Sequence, residues 1–239
     1  MLYQTDIYTS AANVSEIYSE LAVKIHGAAM KAVPTEYAEK MHEKTYHPFS
    51  IFTVPYEGGF IIRASALCDE AKCITDSLAG KNTFRIYGLN EALAVTGTDP
   101  ASPLDAKTVG EHLKGRGCRI TFVTPAMIKT CGKPSAKPDI PAYFKSVINK
   151  YNAFENADIS YDDFIAAFNN AIIDNYELRS VKYNVTGHIF PGMMGFCDII
   201  FPKDSGQAAL LKQVIAYGTY SGVGGKTAMG MGGITVVCF

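Results

Sequence analysis

No stretch of this sequence approaches the ~18 consecutive apolar residues that a membrane-spanning helix needs. Its first ten residues, MLYQTDIYTS, hold neither a basic segment nor an apolar core of the kind that directs export, so a cytoplasmic protein away from membranes is expected. No pair among the six cysteines (68, 73, 118, 131, 197, 238) is spaced Cys-x-x-Cys. That spacing argues against a zinc or disulfide framework and for reduced, mostly packed thiols. An excess of charge is missing too: 22 Lys and Arg stand against 23 Asp and Glu, which excludes a surface coated uniformly for nucleic acid. With 48% hydrophobic and 19% charged residues, the chain is not a largely disordered one. Its 239 residues allow one large domain or two small ones, at ~100–200 residues each.

The near-neutral total hides local asymmetry. Residues 105–150 hold nine Lys or Arg against three acids, whereas residues 151–180 hold six acids and one Arg. Such blocks arise on any solvated surface; the functional alternative is a basic stripe tracking a polyanion while the acidic stretch faces away.

Hydrophobic spacing orders the chain. Residues 2–9 alternate as a strand, and Asn13 with Glu16 forms a capping box for a helix on which Val14, Ile17, Leu21, Ile25 and Ala28 recur. Pro34 stops that helix near Val33, Thr35 can cap a short second one, TEYAEKMH, and Pro48 bounds the segment after it. Residues 49–55 and 60–67 read as a hairpin turning at Glu57-Gly58-Gly59. A helix over 69–79 and a strand over 84–87 complete the βαββαβ order of a ferredoxin-like unit. Residues 97–117 lack periodicity and read as containing a linker. Beyond it the pattern predicts a strand at 118–124, then helices at 140–151 and 161–176, the latter with Phe164, Phe168, Ile172 and Tyr176 one turn apart. Strands at 181–189 and 196–201, a helix at 207–221 and a strand at 233–239 follow. The expected fold class is α+β, with two such units in tandem.

Seven of the 21 glycines fall within residues 218–233. Glycine is costly in backbone entropy, so this density points to positive φ or to close approach of another backbone. Gly-Lys-Thr at 225–227 does not complete a P-loop, because Tyr220 occupies the first glycine position, and Thr227 breaks the alternative GxGxxG. A plain tight turn and a phosphate-cradling loop remain, the second with exposed N–H groups and Lys226 adding charge.

Three of the five histidines, His26, His42 and His47, fall within 22 residues. The metalloprotease pattern HExxH fails, since His47 lies five residues after His42 and Pro48 breaks the helix. Metal ligation has no strong spacing behind it. His42 falls in the last turn of its helix, where the helix dipole favours imidazolium, and Lys44, Tyr46 and His47 follow directly. His, Lys and Tyr together suit phosphodiester transesterification: a 2′-hydroxyl needs a base, the departing 5′-oxygen an acid, and the pentavalent phosphorus a nearby cation. Only RNA carries that nucleophile. Tyr183, Phe190, Met193, Met194, Tyr217 and Tyr220 are candidate stacking surfaces, or half-buried members of a sheet.

The segment Ala216-Tyr-Gly-Thr-Tyr-Ser-Gly-Val-Gly-Gly-Lys-Thr-Ala-Met-Gly-Met-Gly resembles the glycine-rich loop of the CRISPR-RNA-processing endoribonucleases, the Cas-six family of the RAMP superfamily. Gly192-Met-Met-Gly-Phe-Cys-Asp-Ile-Ile-Phe and Phe122-Val-Thr-Pro125 resemble strands of that family's second domain. Lys24-Ile-His-Gly-Ala and Ala38-Glu-Lys-Met-His-Glu-Lys-Thr-Tyr-His-Pro-Phe-Ser are similar to its catalytic helix and His-containing turn. The resemblance implies two tandem ferredoxin-like (RAMP/RRM-like) domains, 1–113 and 114–239, and metal-independent cleavage of CRISPR repeat RNA in the precursor (pre-crRNA), without a cofactor. His42 takes the position of the family's catalytic histidine, His26 that of its Tyr or His on the first helix, and Lys44 or His47 that of a cation at the phosphorane. Gly222, Gly224, Gly225, Lys226, Thr227, Gly230 and Gly232 would contact the RNA backbone, helped by part of the 105–150 stretch. The expected state is a monomer or homodimer. The competing reading is a RAMP protein that holds CRISPR RNA within an effector complex without cutting it.

Overall fold

The structure, a computed structural model, describes residues 1–10, 18–43, 45–85, 92–185 and 187–239, with the side chains of 18–20, 42 and 43 outside that description. The expected capping box at Asn13 and Glu16 lies outside the described residues, as do the last two residues of the strand expected at 84–87. Two antiparallel sheets organise the chain. The first contains β1 (Tyr3–Ser10), β2 (Phe49–Tyr56), β3 (Gly59–Ala66), β4 (Thr83–Phe84) and β5 (Leu93–Pro100) in the order β2-β3-β1-β5-β4. Helices α1 (Tyr18–Ala32), α2 (Thr35–Glu43) and α3 (Lys72–Ala79) belong to this half. The second sheet orders β11 (Ile234–Cys238), β6 (Gly117–Ala126), β10 (His188–Ile200) and β9 (Ile172–Val185), with α4 (Ile140–Glu155), α5 (Tyr161–Asn169) and α6 (Ser205–Ser221). A two-stranded ribbon, β7 (Ile128–Thr130) with β8 (Lys133–Ser135), was not anticipated from the pattern. In each sheet a unit's first strand lies centrally between its third and its last, which is the ferredoxin-like arrangement, repeated in tandem.

Local chemistry accounts for these elements. Tyr56 pairs with Gly59 across a two-residue turn whose Gly58 has φ +87°, a conformation open to glycine. Asp139 caps α4 by accepting from the Ala142 N–H at 3.3 Å, and Asp204 caps α6 by accepting from the Gln207 N–H at 2.8 Å. On α4, Tyr143, Phe144, Val147, Ile148 and Tyr151 recur at helical spacing and pack with Leu211, Val214 and Ile215 of α6. Together these cover Cys118, Ile120 and Phe122 of β6, the alternate positions expected to share a face. A separate core joins Ile7, Leu21, Ile25, Phe49, Ile51 and Ile62 in the first half.

Three expectations are corrected. The helix predicted over 161–176 ends at Asn169, and its last residues open β9, where Ile172 and Tyr176 are 61% and 65% exposed. A spacing of four fits one helical turn and also alternate strand positions, so the pattern could not tell them apart. Pairing along β10 settles it, running from Val185 opposite His188 to Ile172 opposite Ile200. The strand expected at 84–87 is represented by the short β4, while the place beside β1 belongs to β5. Much of β5 falls in the expected linker because it buries only Leu93 and joins β1 through backbone pairing, with a register shift between Tyr8 and Thr9.

Candidate active site and glycine-rich loop

Helix α1 buries Leu21, Ala22, Ile25 and Ala29 and leaves His26 half-buried on its flank. The imidazole stacks on the wholly buried Phe49 at the start of β2, with ring centroids 5.8 Å apart and planes 17° from parallel. His47 lies two residues before Phe49, also half-buried, and meets the same phenyl ring at 5.6 Å. Pro48 between them accepts the Leu67 N–H at 2.8 Å, tying this turn to the end of β3. Two of the expected imidazoles therefore share one aromatic floor. His42 is in the last turn of α2, with its side chain outside the described residues, and Lys44 lies outside them altogether.

Residues 222–233 leave α6 and fold back to β11. Gly222, Gly224, Gly230 and Gly232 all have positive φ, and Lys226 adopts the left-handed conformation at φ +61°. Neighbouring atoms explain the glycines further. A Cβ on Gly230 would run into Ala22 of α1 and the Tyr183 hydroxyl, and one on Gly233 would meet the Phe52 ring at 2.6 Å. Ala228 is buried within the core of the first half. The loop thus docks on α1 and β2. Ala22 precedes His26 by four residues, about one helical turn, or ~6 Å along the axis.

The expectation of a cradle of exposed N–H groups is narrowed by this packing. The Gly222, Gly224 and Gly225 amides donate to Gly218, Tyr143 and Met127 carbonyls, and Gly232 donates to Pro125. What the loop presents outward is Lys226, exposed, with its ammonium 4.7 Å from the centre of the Phe190 ring on β10. Thr227 is buried. The basic stretch also divides. Lys129, Lys133 and Lys137 are exposed on and beside the β7–β8 ribbon, next to the loop through Met127. Lys107, Lys114 and Arg116 are exposed before the other end of β6, a ten-residue strand that spans ~33 Å.

Sequence reasoning missed the role of Lys150, which it counted with the surface cations. Lys150 is 5% exposed; its ammonium donates to the Ser221 carbonyl at 2.7 Å and to the Thr227 hydroxyl at 2.6 Å. Burial pushes its pKa down to about 7. Its place three residues after Val147 and seven after Tyr143, on the apolar face of α4, is the signal that could have exposed it. Among the described residues, no group of three or more His, Cys, Asp or Glu is placed to hold a metal ion, and no helix is long and apolar enough to cross a membrane.

Two ferredoxin-like units in tandem, the second carrying a glycine-rich loop before its last strand, define the class of fold. Residues 120–234 match the family described as CRISPR-associated endoribonuclease Cas6. The CRISPR-associated endoribonuclease Cas6 of Mycobacterium tuberculosis is 26% identical over 227 residues, covering 90% of this chain and 71% of the relative. That of Streptococcus thermophilus is 26% identical over 225 residues, with 90% of both chains covered. Thermus thermophilus Cas6 shares the fold with a TM-score of 0.72 at 19% identity, over 99% of this chain and 98% of the other. A Cas6 product complex reaches a TM-score of 0.78 at 19% identity, over 99% and 100%. The chain is thus similar to the Cas6 family over residues 120–234, and to Cas6 endoribonucleases over 90% of its length.

Proposed function

We propose that this protein is an endoribonuclease that cuts CRISPR repeat RNA in the precursor transcript by metal-independent transesterification. The 2′-oxygen attacks the adjacent phosphorus, forming the O2′–P bond as the P–O5′ bond breaks. The 2′-hydroxyl proton passes to a base and the departing 5′-oxygen takes one from an acid, leaving a 2′,3′-cyclic phosphate and a 5′-hydroxyl. His26 and His42 share this acid–base work, and Lys44 or His47 stabilises the charged phosphorane. Lys226 and the loop around it hold the RNA backbone, joined by the ribbon lysines Lys129 and Lys133.

The observation that carries this reading is the docking of the 222–233 loop on α1. Gly230 abuts Ala22, about one turn from His26, and Ala228 enters the core that contains Phe49, the floor beneath His26 and His47. Chemistry from one end of the chain and phosphate binding from the other thereby share one seam. Cleavage of repeat RNA in EDTA tests it: His42→Ala abolishes cutting while binding stays largely intact, and full activity in that variant overturns the assignment. Binding without cleavage by the wild type would favour the RAMP protein that only holds RNA.

A further inference from the structure

The contacts of Lys150 carry more than packing. Its ammonium is wholly enclosed between α4 and the loop and joins two points six residues apart in sequence, the last carbonyl of α6 at Ser221 and the hydroxyl of Thr227. A helix leaves its final carbonyls without intrahelical donors and carries partial negative charge at that end, so a buried cation is well placed there. The second partner is the residue directly after Lys226. Lys226 holds φ +61°, a conformation that side chains with a β-carbon adopt only when their surroundings fix it, and it caps the short 3-10 helix Thr227–Met229. Thr227 is itself buried, at 5% exposure.

We propose that Lys150 is a positioning residue for RNA binding: by bracing Ser221 against Thr227 it fixes the backbone turn from which Lys226 reaches a phosphate. The proposal rests on the RNA-processing reading above, and it assigns Lys150 no contact with substrate. A neutral scaffold role would change stability alone. A positioning role acts through Lys226, so its loss and the loss of Lys226 should not add.

The test uses the full chain and a repeat RNA carrying a 2′-deoxy nucleotide at the cleavage position, with Kd measured across a salt series. Lys226→Ala is expected to weaken binding about 5–10-fold near ~0.1 M salt and to reduce the slope of log K against log salt by ~0.7–0.9. Lys150→Met and Thr227→Val should each reproduce both changes, and Lys150→Met with Lys226→Ala should bind no more weakly than Lys226→Ala. Thr227→Ser, which keeps the hydroxyl, should bind as the wild type. On cleavable RNA the saturating single-turnover rate of Lys150→Met should stay within about twofold of wild type. A folded Lys150→Met with wild-type Kd and slope overturns the proposal, as does a full additive loss in the double variant. If Lys150→Met does not fold, Thr227→Val decides, and wild-type binding by that variant overturns it. A wild type that fails to bind repeat RNA removes the functional reading and this proposal with it, whereas strong wild-type binding indifferent to Lys150 and Thr227 removes only this one.

Discussion

Gly230→Ala tests the seam between the two halves. Gly230 sits at φ +95°, and a Cβ there would collide with the Cβ of Ala22 and the hydroxyl of Tyr183. Both neighbours are buried, at 0% and 3% exposure, so neither can swing into solvent. The left-handed backbone costs an L-residue ~1–2 kcal/mol, and forcing an extra carbon into a packed site costs another ~1–3 kcal/mol. The sum, ~2–5 kcal/mol, is a large part of the ~5–15 kcal/mol by which domains are stable. Gly58→Ala is the matched control, since Gly58 has φ +87° with nothing within 4 Å of the added carbon. Urea denaturation should place Gly230→Ala ~1–3 kcal/mol below Gly58→Ala, the difference being the packing component alone. Displacing Ala22 also moves the helix that carries His26, so single-turnover cleavage should fall in Gly230→Ala and hold in Gly58→Ala. Equal stability of the two variants would refute the close packing of loop on helix.

Other outcomes follow from the same structure. Gly27 lies within α1, and a Cβ there meets nothing within 4 Å, so Gly27→Ala should raise stability by ~0.5–1 kcal/mol in thermal melts; destabilisation would contradict the open space beside it. Asp6 accepts two hydrogen bonds from Arg63 on the neighbouring strand, at 2.7 and 2.5 Å. Asp6→Asn should cost ~1–3 kcal/mol in urea melts, and an unchanged midpoint would show the pair to be inconsequential. Lys150 titrates at about 7 in the fold, against ~10.4 in an unfolded chain. Between those values the unfolded chain holds the extra proton, so this residue makes folding more favourable as pH rises from 7 towards 10 and adds no pH dependence below 7. The stability of wild type relative to Lys150→Met should therefore rise from pH 7 to pH 9, by at most ~1.4 kcal/mol per unit. A difference independent of pH contradicts the burial of a titrating ammonium.

Much of this architecture is legible in the sequence because burial and periodicity agree. Leu21 and Ile25 on α1, alternation through Cys118, Ile120 and Phe122, and the turn at Glu57-Gly58 each carry one signal that the structure repeats. Where two signals coincide, the reading fails. Residues 164, 168, 172 and 176 satisfy the helical and the strand period together, and only the long pairing with β10 separates them. Strand β5 escapes notice because backbone pairing, rather than apolar burial, holds most of it. The glycine density at 218–233 correctly marks close approach, yet it cannot say what approaches. The partners, Ala22, Phe52, Tyr183 and Met127, come from distant parts of the chain. Lys150 shows the same limit: a lysine reads as surface until its helical face is compared with its neighbours.

In the proposed reaction a ribose hydroxyl supplies the nucleophile at a site built from the amino-terminal histidines and the carboxyl-terminal loop. Its most direct test is single-turnover cleavage, with EDTA present, of two repeat RNAs that differ only by a 2′-deoxy nucleotide at the scissile position. The account predicts equal binding, a cut all-ribose strand ending in a 2′,3′-cyclic phosphate, and an intact deoxy strand. Equal cutting of both, or cutting that EDTA abolishes, would contradict it.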